Sequence, residues 1–435
     1  MKIGEFAKKH NVAASAVRFY IELGLLVPQK NGTQHIFSSS EDAEMALIKE
    51  LKELGYSLKE MQKYISTVRL YHEHDSALNQ SLIPLLKDKE KSLMQKKDEL
   101  DCFLKRIHDK ISSLQSHDDT QSDNIATNSS DTLITMPLDF IPLLQCPHCG
   151  SPLQMKNAQI INNGIRNADL ECSCQYHSQI RNGMLFTGKL YDYEADPDFS
   201  RCFFGTYRDS STYDDIFFES SALSSPELMI LQHKAFLYIQ DSIRQMKPDR
   251  HLIILPDISC HQLYKLHRES YIKNALILVP TFSPASIVPI QKHLSGLELD
   301  ILYIINHDGY LPFKKKTVDA VIDYTGICNF SFFNKTPFLE LFYPYIKDGA
   351  PLLSFTECYD NNAKSLDMIK DTYKFSNPSI MTWKGLKNSL TRCGFVLTEK
   401  EVLGICSSPG EYWEYHHPDD KRYAVCYRAK KSENI

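Results

Sequence analysis

VAASAVRFYIELGLL, residues 12–26, sets the architecture of the first part of this 435-residue chain. Within it, apolar residues recur at helical spacing, at Ala16, Val17 and Tyr20. The same spacing occurs just upstream, at Ile3, Phe6 and Ala7. The pattern therefore predicts two small helices that pack against each other across a turn.

The second of these helices also has the residues that entry into the major groove of DNA requires. Such a helix needs short side chains near its start and a cation that reaches phosphate or guanine. Ala13, Ala14 and Ser15 are short, and Arg18 follows one turn later. On this pattern alone, a helical hairpin with a solvated Arg18 is the simpler interpretation.

A longer motif favours the DNA-binding interpretation. Arg18-Phe19-Tyr20-x-Glu22-x-Gly24-Leu25-Leu26-x-Pro28 resembles the Arg-Tyr-Tyr-Glu-x-x-Gly-Leu-Leu-x-Pro signature of the MerR family of bacterial transcription regulators. The similarity runs from Ile3 to Ile65 and implies a winged helix-turn-helix head. We expect Ser15 and Arg18 to contact DNA, with Tyr20, Lys30 and His35 near phosphates.

The predicted wing, Lys30 to Phe37, departs from that family. Gln34-His35-Ile36-Phe37 stands where the family has Tyr-Arg-x-Tyr. His35 is mostly neutral near pH 7, so its contact with a phosphate is weaker than that of an arginine. Two capping boxes, Ser38-x-x-Glu41 and Ser57-x-x-Glu60, predict the starts of the two helices that close the head.

A long helix is predicted from Leu82 to Leu114, with Pro84 in its first turn. Apolar residues recur every seven positions, at Leu86, Leu93, Leu100, Ile107 and Leu114. This stripe is typical of a coiled coil, and a single helix packed on its own domain is the alternative. The MerR resemblance implies an antiparallel dimerisation helix at this place.

We expect five segments along the chain. They are a DNA-binding domain over 1–70, a coiled-coil helix over 80–115, a flexible linker over 116–135, a zinc ribbon over 140–188 and a methyltransferase-like α/β domain over 189–435. The linker is assigned because Ser116 to Thr135 has no Lys, Arg or aromatic residue and cannot bury much surface.

Four of the 12 cysteines form two close pairs after this linker. Cys146 and Cys149 lie in Cys-Pro-His-Cys-Gly, and Cys172 and Cys174 follow as Cys-Ser-Cys, with His177 as an alternative fourth ligand. The spacing predicts a structural Zn²⁺ site. Gln179-Ile180-Arg181-Asn182-Gly183-Met184 resembles the tail of small zinc ribbons that precede some class I methyltransferases. A cysteine-based metal or thiol sensor is the competing interpretation.

The last part of the chain alternates apolar runs with longer mixed segments, which is typical of an α/β fold with a parallel sheet. The runs are 252–255, 275–279, 301–305, 320–322 and 352–355. Asp308 to Phe313 and Val318 to Val321 resemble elements of class I methyltransferases that use S-adenosylmethionine. The layout therefore predicts a Rossmann-like methyltransferase-type domain.

The cofactor loop of that family is missing. Asp257-Ile258-Ser259-Cys260-His261-Gln262-Leu263 stands where the family has Asp-Ile-Gly-Cys-Gly-x-Gly, and Pro280-Thr281 replaces the acid that holds the ribose. We expect catalysis and S-adenosylmethionine binding to be lost.

Four residues of this domain have two possible roles. Tyr264, Tyr310, Phe313 and Asp308 could line a ligand crevice at the carboxyl ends of the strands, or the aromatic residues among them could pack in the core. His261 only marks the altered turn.

The predicted protein is a homodimeric regulator that binds double-stranded promoter DNA beside RNA polymerase. We expect its methyltransferase-like domain to act either as a sensor of a small-molecule effector or as an interaction module. The net charge is −5, while residues 1–40 hold five Lys and Arg against two Asp and Glu, so only the head is basic. With no membrane span and no signal segment, we expect a cytoplasmic protein, on the nucleoid when bound. An active, DNA-tethered methyltransferase is the enzymatic alternative.

Overall fold

The structure is a computed structural model that describes residues 1–32, 34–71, 76–126, 134–187, 222–247, 251–257, 260–281, 294, 297–305, 310–411 and 413–433. The chain divides into two units, Met1–Asn128 and Ser129–Ile435. No helix in the described ranges is long and apolar enough to cross a membrane.

The first unit is helical with a short hairpin. Its elements are α1 (Ile3–Lys9), α2 (Ala14–Glu22), β1 (Gln29–Asn31), β2 (Gln34–Ile36), α3 (Ser39–Glu53), α4 (Leu58–Leu70) and α5 (Ser76–Ala126). The predicted helix-turn-helix and wing are confirmed. Both predicted capping boxes are formed, at Ser38 before α3 and at Ser57 before α4.

The end of α2 is a left-handed turn that brings the chain back into the core. Gly24 has φ +70°, a conformation that costs glycine little. Leu25 and Leu26, which follow it, are fully buried beside Phe6 and Val17. The Gly-Leu-Leu part of the motif therefore ends the recognition helix and anchors it.

The long helix α5 differs from the prediction at both ends. It begins at Ser76, so Pro84 lies in its interior and not in its first turn. Because proline has no N–H, the carbonyl of Gln80 loses its helical donor there. At the other end, α5 continues to Ala126, because residues 116–126 contain no Gly or Pro to end it. The rest of the expected linker up to residue 133 lies outside the described residues.

The second unit combines a ribbon of short strands with an α/β sheet. Its strands are β3 (Met136–Pro137), β4 (Gln154–Ile161), β5 (Gly164–Glu171), β6 (His177–Arg181), β7 (Met184–Phe186), β8 (Leu252–Ile254), β9 (Leu276–Thr281), β10 (Asp300–Ile305), β11 (Ala320–Tyr324), β12 (Pro351–Tyr359), β13 (Phe395–Cys406) and β14 (Arg422–Lys431). Its α-helices are α6 (Pro226–Arg244), α7 (Cys260–Leu266), α8 (Ser270–Lys273), α9 (Gly326–Phe333), α10 (Phe338–Phe342), α11 (Lys364–Thr372) and α12 (Trp383–Arg392). Three 3₁₀ helices complete the described elements, at Leu138–Leu143, Tyr343–Tyr345 and Pro378–Met381.

One sheet runs through this unit in the order β13-β14-β12-β11-β8-β9-β10-β7-β6-β5-β3, with β4 paired to β5. Strands β10, β9, β8, β11 and β12 are parallel, and their order is that of the doubly wound α/β fold. The five predicted strand segments form this parallel part, which confirms the Rossmann-like class. The sheet as a whole is mixed, because β14 runs antiparallel to both β12 and β13.

The ribbon strands extend the same sheet. Strand β7 pairs with β10 in parallel, through Leu185 opposite Ile304. Within the ribbon, β4 turns into β5 at Asn162-Asn163 and β6 turns into β7 at Asn182-Gly183, and all four residues have positive φ. Such two-residue turns match the twist of the strands that they join. The cysteine-rich segment is thus built onto the edge of the parallel sheet.

Candidate functional site

The recognition helix presents the predicted contact residues to solvent. Ser15 and Arg18 are exposed on α2, whereas Val17 on the opposite face is fully buried in the head core. Tyr20 is half-buried and packs against that core. The side chains of Ser15 and Arg18 are therefore accessible for contact with DNA, whereas Tyr20 also packs in the head core.

The wing brings the other two predicted residues together. Lys30 on β1 and His35 on β2 are direct partners in the antiparallel pair, and Lys30 is exposed. His35 is half-buried, and its Nδ1 atom is buried without a hydrogen-bond partner within the described part of the chain. The wing therefore offers one permanent cation, Lys30, with the imidazole beside it.

A contact that the sequence did not indicate holds the carboxyl end of α2. The guanidinium of Arg69 on α4 donates to the carbonyl oxygens of Gly24 at 2.7 Å and Leu25 at 2.8 Å, and to a carboxylate oxygen of Glu44 at 2.6 Å. Gln62, two turns earlier on α4, donates to the carbonyl of Leu23 at 2.7 Å. Three consecutive carbonyls, one at the C-cap of the recognition helix and two in the turn after it, are thus bound by α4.

A buried lysine joins α5 to the start of α4. Lys89 donates to the carbonyl of Gly55 at 2.5 Å and to Glu60 at 3.1 Å, and its ammonium lies 4.8 Å from the ring centre of Tyr56. The pKa of Glu60 is lowered to about 2, first by the backbone N–H and hydroxyl of Ser57 and then by Lys89. The first turn of α4 therefore carries both a cap and an ion pair to the long helix.

The four predicted cysteines lie together in the ribbon. Their sulfur atoms are all within 4.8 Å of one another, with Cys146 3.4 Å from Cys174 and Cys149 3.4 Å from Cys172. Two tight turns present them: the amide of Gly150 donates to the carbonyl of Cys146, and that of Gln175 to the carbonyl of Cys172. His177 begins β6 and is not a member of this group among the described residues.

The electrostatics of the cluster fit a cation between the sulfurs. The hydroxyl and amide of Ser151 lower the pKa of Cys149 to about 6. At Cys174 the amide of Tyr176 acts to lower the pKa, but the thiols of Cys146, Cys149 and Cys172 together with burial raise it to about 12. Four thiolates this close repel one another, so full deprotonation needs a metal ion.

A small hydrogen-bond network, in which Thr281 is buried and Asp257 and Asn329 are half-buried, occupies the carboxyl ends of β8 and β9. The Asp257 carboxylate accepts from the Thr281 hydroxyl at 3.0 Å and from the Asn329 amide at 3.4 Å. Burial raises the pKa of Asp257 to about 6. Thr281 at the end of β9 is thus bound to Asp257, which follows β8.

The two predicted crevice residues whose side chains the structure describes, Phe313 and Tyr310, have their ring contacts elsewhere. Phe313 is buried and contacts Phe140 edge to face, and Tyr310 is exposed against the ring of His148 in the ribbon. Asp308 lies outside the described residues, as do the side chains of His261 and Tyr264. Leu263, which the sequence comparison placed opposite the third loop glycine of class I methyltransferases, is buried in the core.

Comparison with known proteins gives matches in sequence and matches in fold. Residues 1–68 match the family described as MerR HTH family regulatory protein. The HTH-type transcriptional regulator YfmP of Bacillus subtilis (strain 168) is 31% identical over 119 residues, which cover 27% of this chain and 84% of that protein. The sequence match thus includes the whole helix-turn-helix and wing.

Two solved structures match part of the chain at low identity and low TM-score. A geranyl diphosphate C-methyltransferase from Streptomyces coelicolor A3(2), solved with S-adenosyl-L-homocysteine, has 15% identity and a TM-score of 0.35 over 45% of this chain and 74% of its own. Phosphoethanolamine N-methyltransferase 2 of Haemonchus contortus has 10% identity and a TM-score of 0.34 over 46% of this chain and 52% of its own.

Proposed function

Because the chain belongs to the MerR family of helix-turn-helix regulatory proteins, we propose that it is a homodimeric, sequence-specific regulator of transcription. Its two heads would bind a pseudo-palindromic promoter element, with Arg18 and Ser15 in the major groove. The observation that carries this proposal is the exposed Ser15 and Arg18 face of α2, on a helix fixed at its far end. Regulation would act through the shape of the promoter between the contacts of RNA polymerase.

The dimer is supported by the surface of α5. Leu86, Leu93, Leu100, Ile107 and Leu114 are all exposed in the single chain. At 1.5 Å per residue, the stripe from Leu86 to Leu114 is about 42 Å long. A second copy of the same helix would cover these side chains, and would hold the two heads at the fixed separation that a two-fold DNA site needs.

Replacement of Arg18 by alanine tests the DNA interface. We expect Arg18→Ala to weaken binding to a duplex that the wild-type protein selects from a random library, by about tenfold or more, since one base or phosphate contact of arginine is lost. Fluorescence anisotropy measures the affinity, and sedimentation checks that the dimer persists. Arg106→Ala on exposed α5 is the matched control. Unchanged binding by Arg18→Ala would overturn the placement of the interface.

The cysteine group is proposed to hold a structural Zn²⁺ ion. Tetrahedral zinc at about 2.3 Å from each sulfur separates the sulfurs by about 3.8 Å, inside the range found between these four thiols. All four protein ligands are cysteines, which is typical of a closed site that stabilises a fold. Cys146, Cys149, Cys172 and Cys174 would be the ligands, without His177.

The α/β domain is proposed to act as a sensor or interaction module without methyl transfer. S-adenosylmethionine does not fit the residues present: no glycine occupies the loop after β8, Leu263 fills the core there, and Thr281 is held by Asp257. A small-molecule effector of another kind is the proposed ligand. The competing proposal is an active methyltransferase recruited to DNA, and it requires this cofactor to bind.

A further inference from the structure

We propose that Arg69 is a positioning residue for DNA recognition, which sets the direction in which α2 presents Ser15 and Arg18 to the major groove. The proposal rests on the DNA-binding function proposed above. Arg69 need not touch DNA itself. It acts on the carboxyl end of the recognition helix through the carbonyls of Gly24 and Leu25.

The chemistry of the contact suits a fixed orientation. The carbonyl oxygens of Gly24 and Leu25 lie in the turn that follows α2, and a charged donor makes stronger hydrogen bonds to such oxygens than a neutral one. One planar guanidinium binds two successive carbonyls, at 2.7 and 2.8 Å, and a third N–H donates to Glu44 on α3. Because the donors of arginine form a rigid fork, the three acceptors fix the turn in one orientation, which a lysine cannot reproduce.

The hydrogen bonds from Arg69 to Gly24, Leu25 and Glu44, which we call the clamp, lie at the edge of the apolar core and are not part of it. The side chains of Arg69 and Glu44 retain 28% and 17% exposure, while Leu25 and Leu26 are fully buried among apolar residues of the head. That apolar core holds the two helices together in any case. Loss of the clamp should therefore tilt or loosen the end of α2 without unfolding the head.

The residues of α4 that hold α2 share one face. Gln62, Ile65 and Arg69 are spaced i, i+3 and i+7, which places them in one stripe along the helix. Ile65 is buried in the head core, and the polar residues on either side of it bind the carbonyls of Leu23, Gly24 and Leu25. Packing and hydrogen bonding thus act on the same segment, the turn after the recognition helix.

The test compares Arg69→Gln with Arg69→Lys on two duplexes of equal length: one selected by the wild-type protein from a random library, and its scrambled version. We expect Arg69→Gln to weaken binding of the selected duplex about tenfold and of the scrambled duplex less than about twofold, because base contacts and not phosphate contacts are misdirected. Arg69→Lys keeps the charge but not the fork, and should remain closer to Arg69→Gln than to wild type. Arg106→Gln is the control.

Two results would overturn the proposal. One is binding of the selected duplex by Arg69→Gln within about twofold of wild type. The other is an equal loss on both duplexes with a salt slope reduced by about 1, which is the signature of a direct phosphate contact. If Arg69→Gln does not fold, Arg69→Lys replaces it: it keeps the charge but removes the fork that binds both carbonyls, and an unchanged ratio of the two affinities would exclude the clamp. Failure of the wild-type protein to select any sequence would instead contradict the proposed function.

Discussion

Asp323 on β11 and Asp257 after β8 are two carboxyl groups with raised pKa values in the α/β domain. Asp323 on β11 is fully buried, and its carboxylate accepts from the amide of Ile327 at 2.9 Å and from the hydroxyl of Ser354 at 2.5 Å. Burial raises its pKa to about 7, and the charge of Asp257 adds to the effect. Neither carboxylate has a cation at hydrogen-bond distance among the described residues. A neutral Asp323 at mildly acidic pH follows from this environment.

Replacement of Asp323 by asparagine should reduce the pH dependence of stability. The pKa of Asp323 is about 7 in the folded chain against a usual 3.8, so the folded state binds more protons between these values. The free energy of unfolding therefore falls as pH rises from about 4 to 7. In Asp323→Asn the side chain stays neutral at every pH and keeps an acceptor for the Ile327 amide, so this fall should be smaller. Urea denaturation at pH 5 and pH 8 measures it, and an equal fall in both proteins would contradict the assignment.

At the scale of elements, local signals in the sequence predicted most of the head. Both capping boxes, the recognition helix and the heptad stripe of α5 depend on residues within two turns of one another, and the structure has each of them. The interior position of Pro84 was not predicted, because residues 76–81 carry no strong start signal. Strands β13 and β14 were missed as a hairpin, since their partners are separated by a long loop.

Contacts between residues that lie far apart in the sequence could not be predicted from it. Lys89 is a charged residue in a charged helix, and nothing near it in sequence indicates that it is buried against Gly55 and Tyr56. Arg69 and Thr281 are similar cases, because their partners lie 24 or more positions away. The cysteines were different: their spacing alone brought all four into one predicted site, although it left His177 as an alternative.

Removal of zinc should affect the ribbon before the rest of the sheet. The proposed ligands fix the turns at Cys146 and Cys172, and the adjoining strands β4, β5 and β6 lie at the far edge of the sheet from β12. We expect a chelator to increase hydrogen exchange in 146–181, while the parallel strands stay protected and DNA affinity changes less than about twofold. Cys149→Ser should have the same local effect. If chelation instead changes DNA binding and leaves exchange in the ribbon unaltered, the site is a sensor.

At the scale of the whole molecule, the two units carry different chemistry. The first has an exposed face on α2 with Ser15 and Arg18, and α4 binds the turn after that helix. The second has a Rossmann-like sheet with no glycine in the turn after β8. Open α/β sheets place a crevice at the carboxyl ends of their strands whatever the loop sequence. A ligand of the second unit, as proposed above, would therefore be expected at the carboxyl ends of β8, β9 and β11.

Calorimetric titration of the zinc-loaded protein with S-adenosylmethionine tests this account. We expect no saturable heat from the native chain, because larger residues replace the loop glycines and Thr281 offers a hydroxyl already bound to Asp257. The double variant Ser259→Gly, His261→Gly opens the loop. Leu263 is left unchanged, since removal of this buried side chain would cost about 2–5 kcal/mol in a cavity. Binding by the double variant alone would attribute the loss to these two side chains. Saturable binding by the native chain would favour the competing proposal of an active methyltransferase. Assays of methyl transfer to DNA and to small molecules would then identify its substrate.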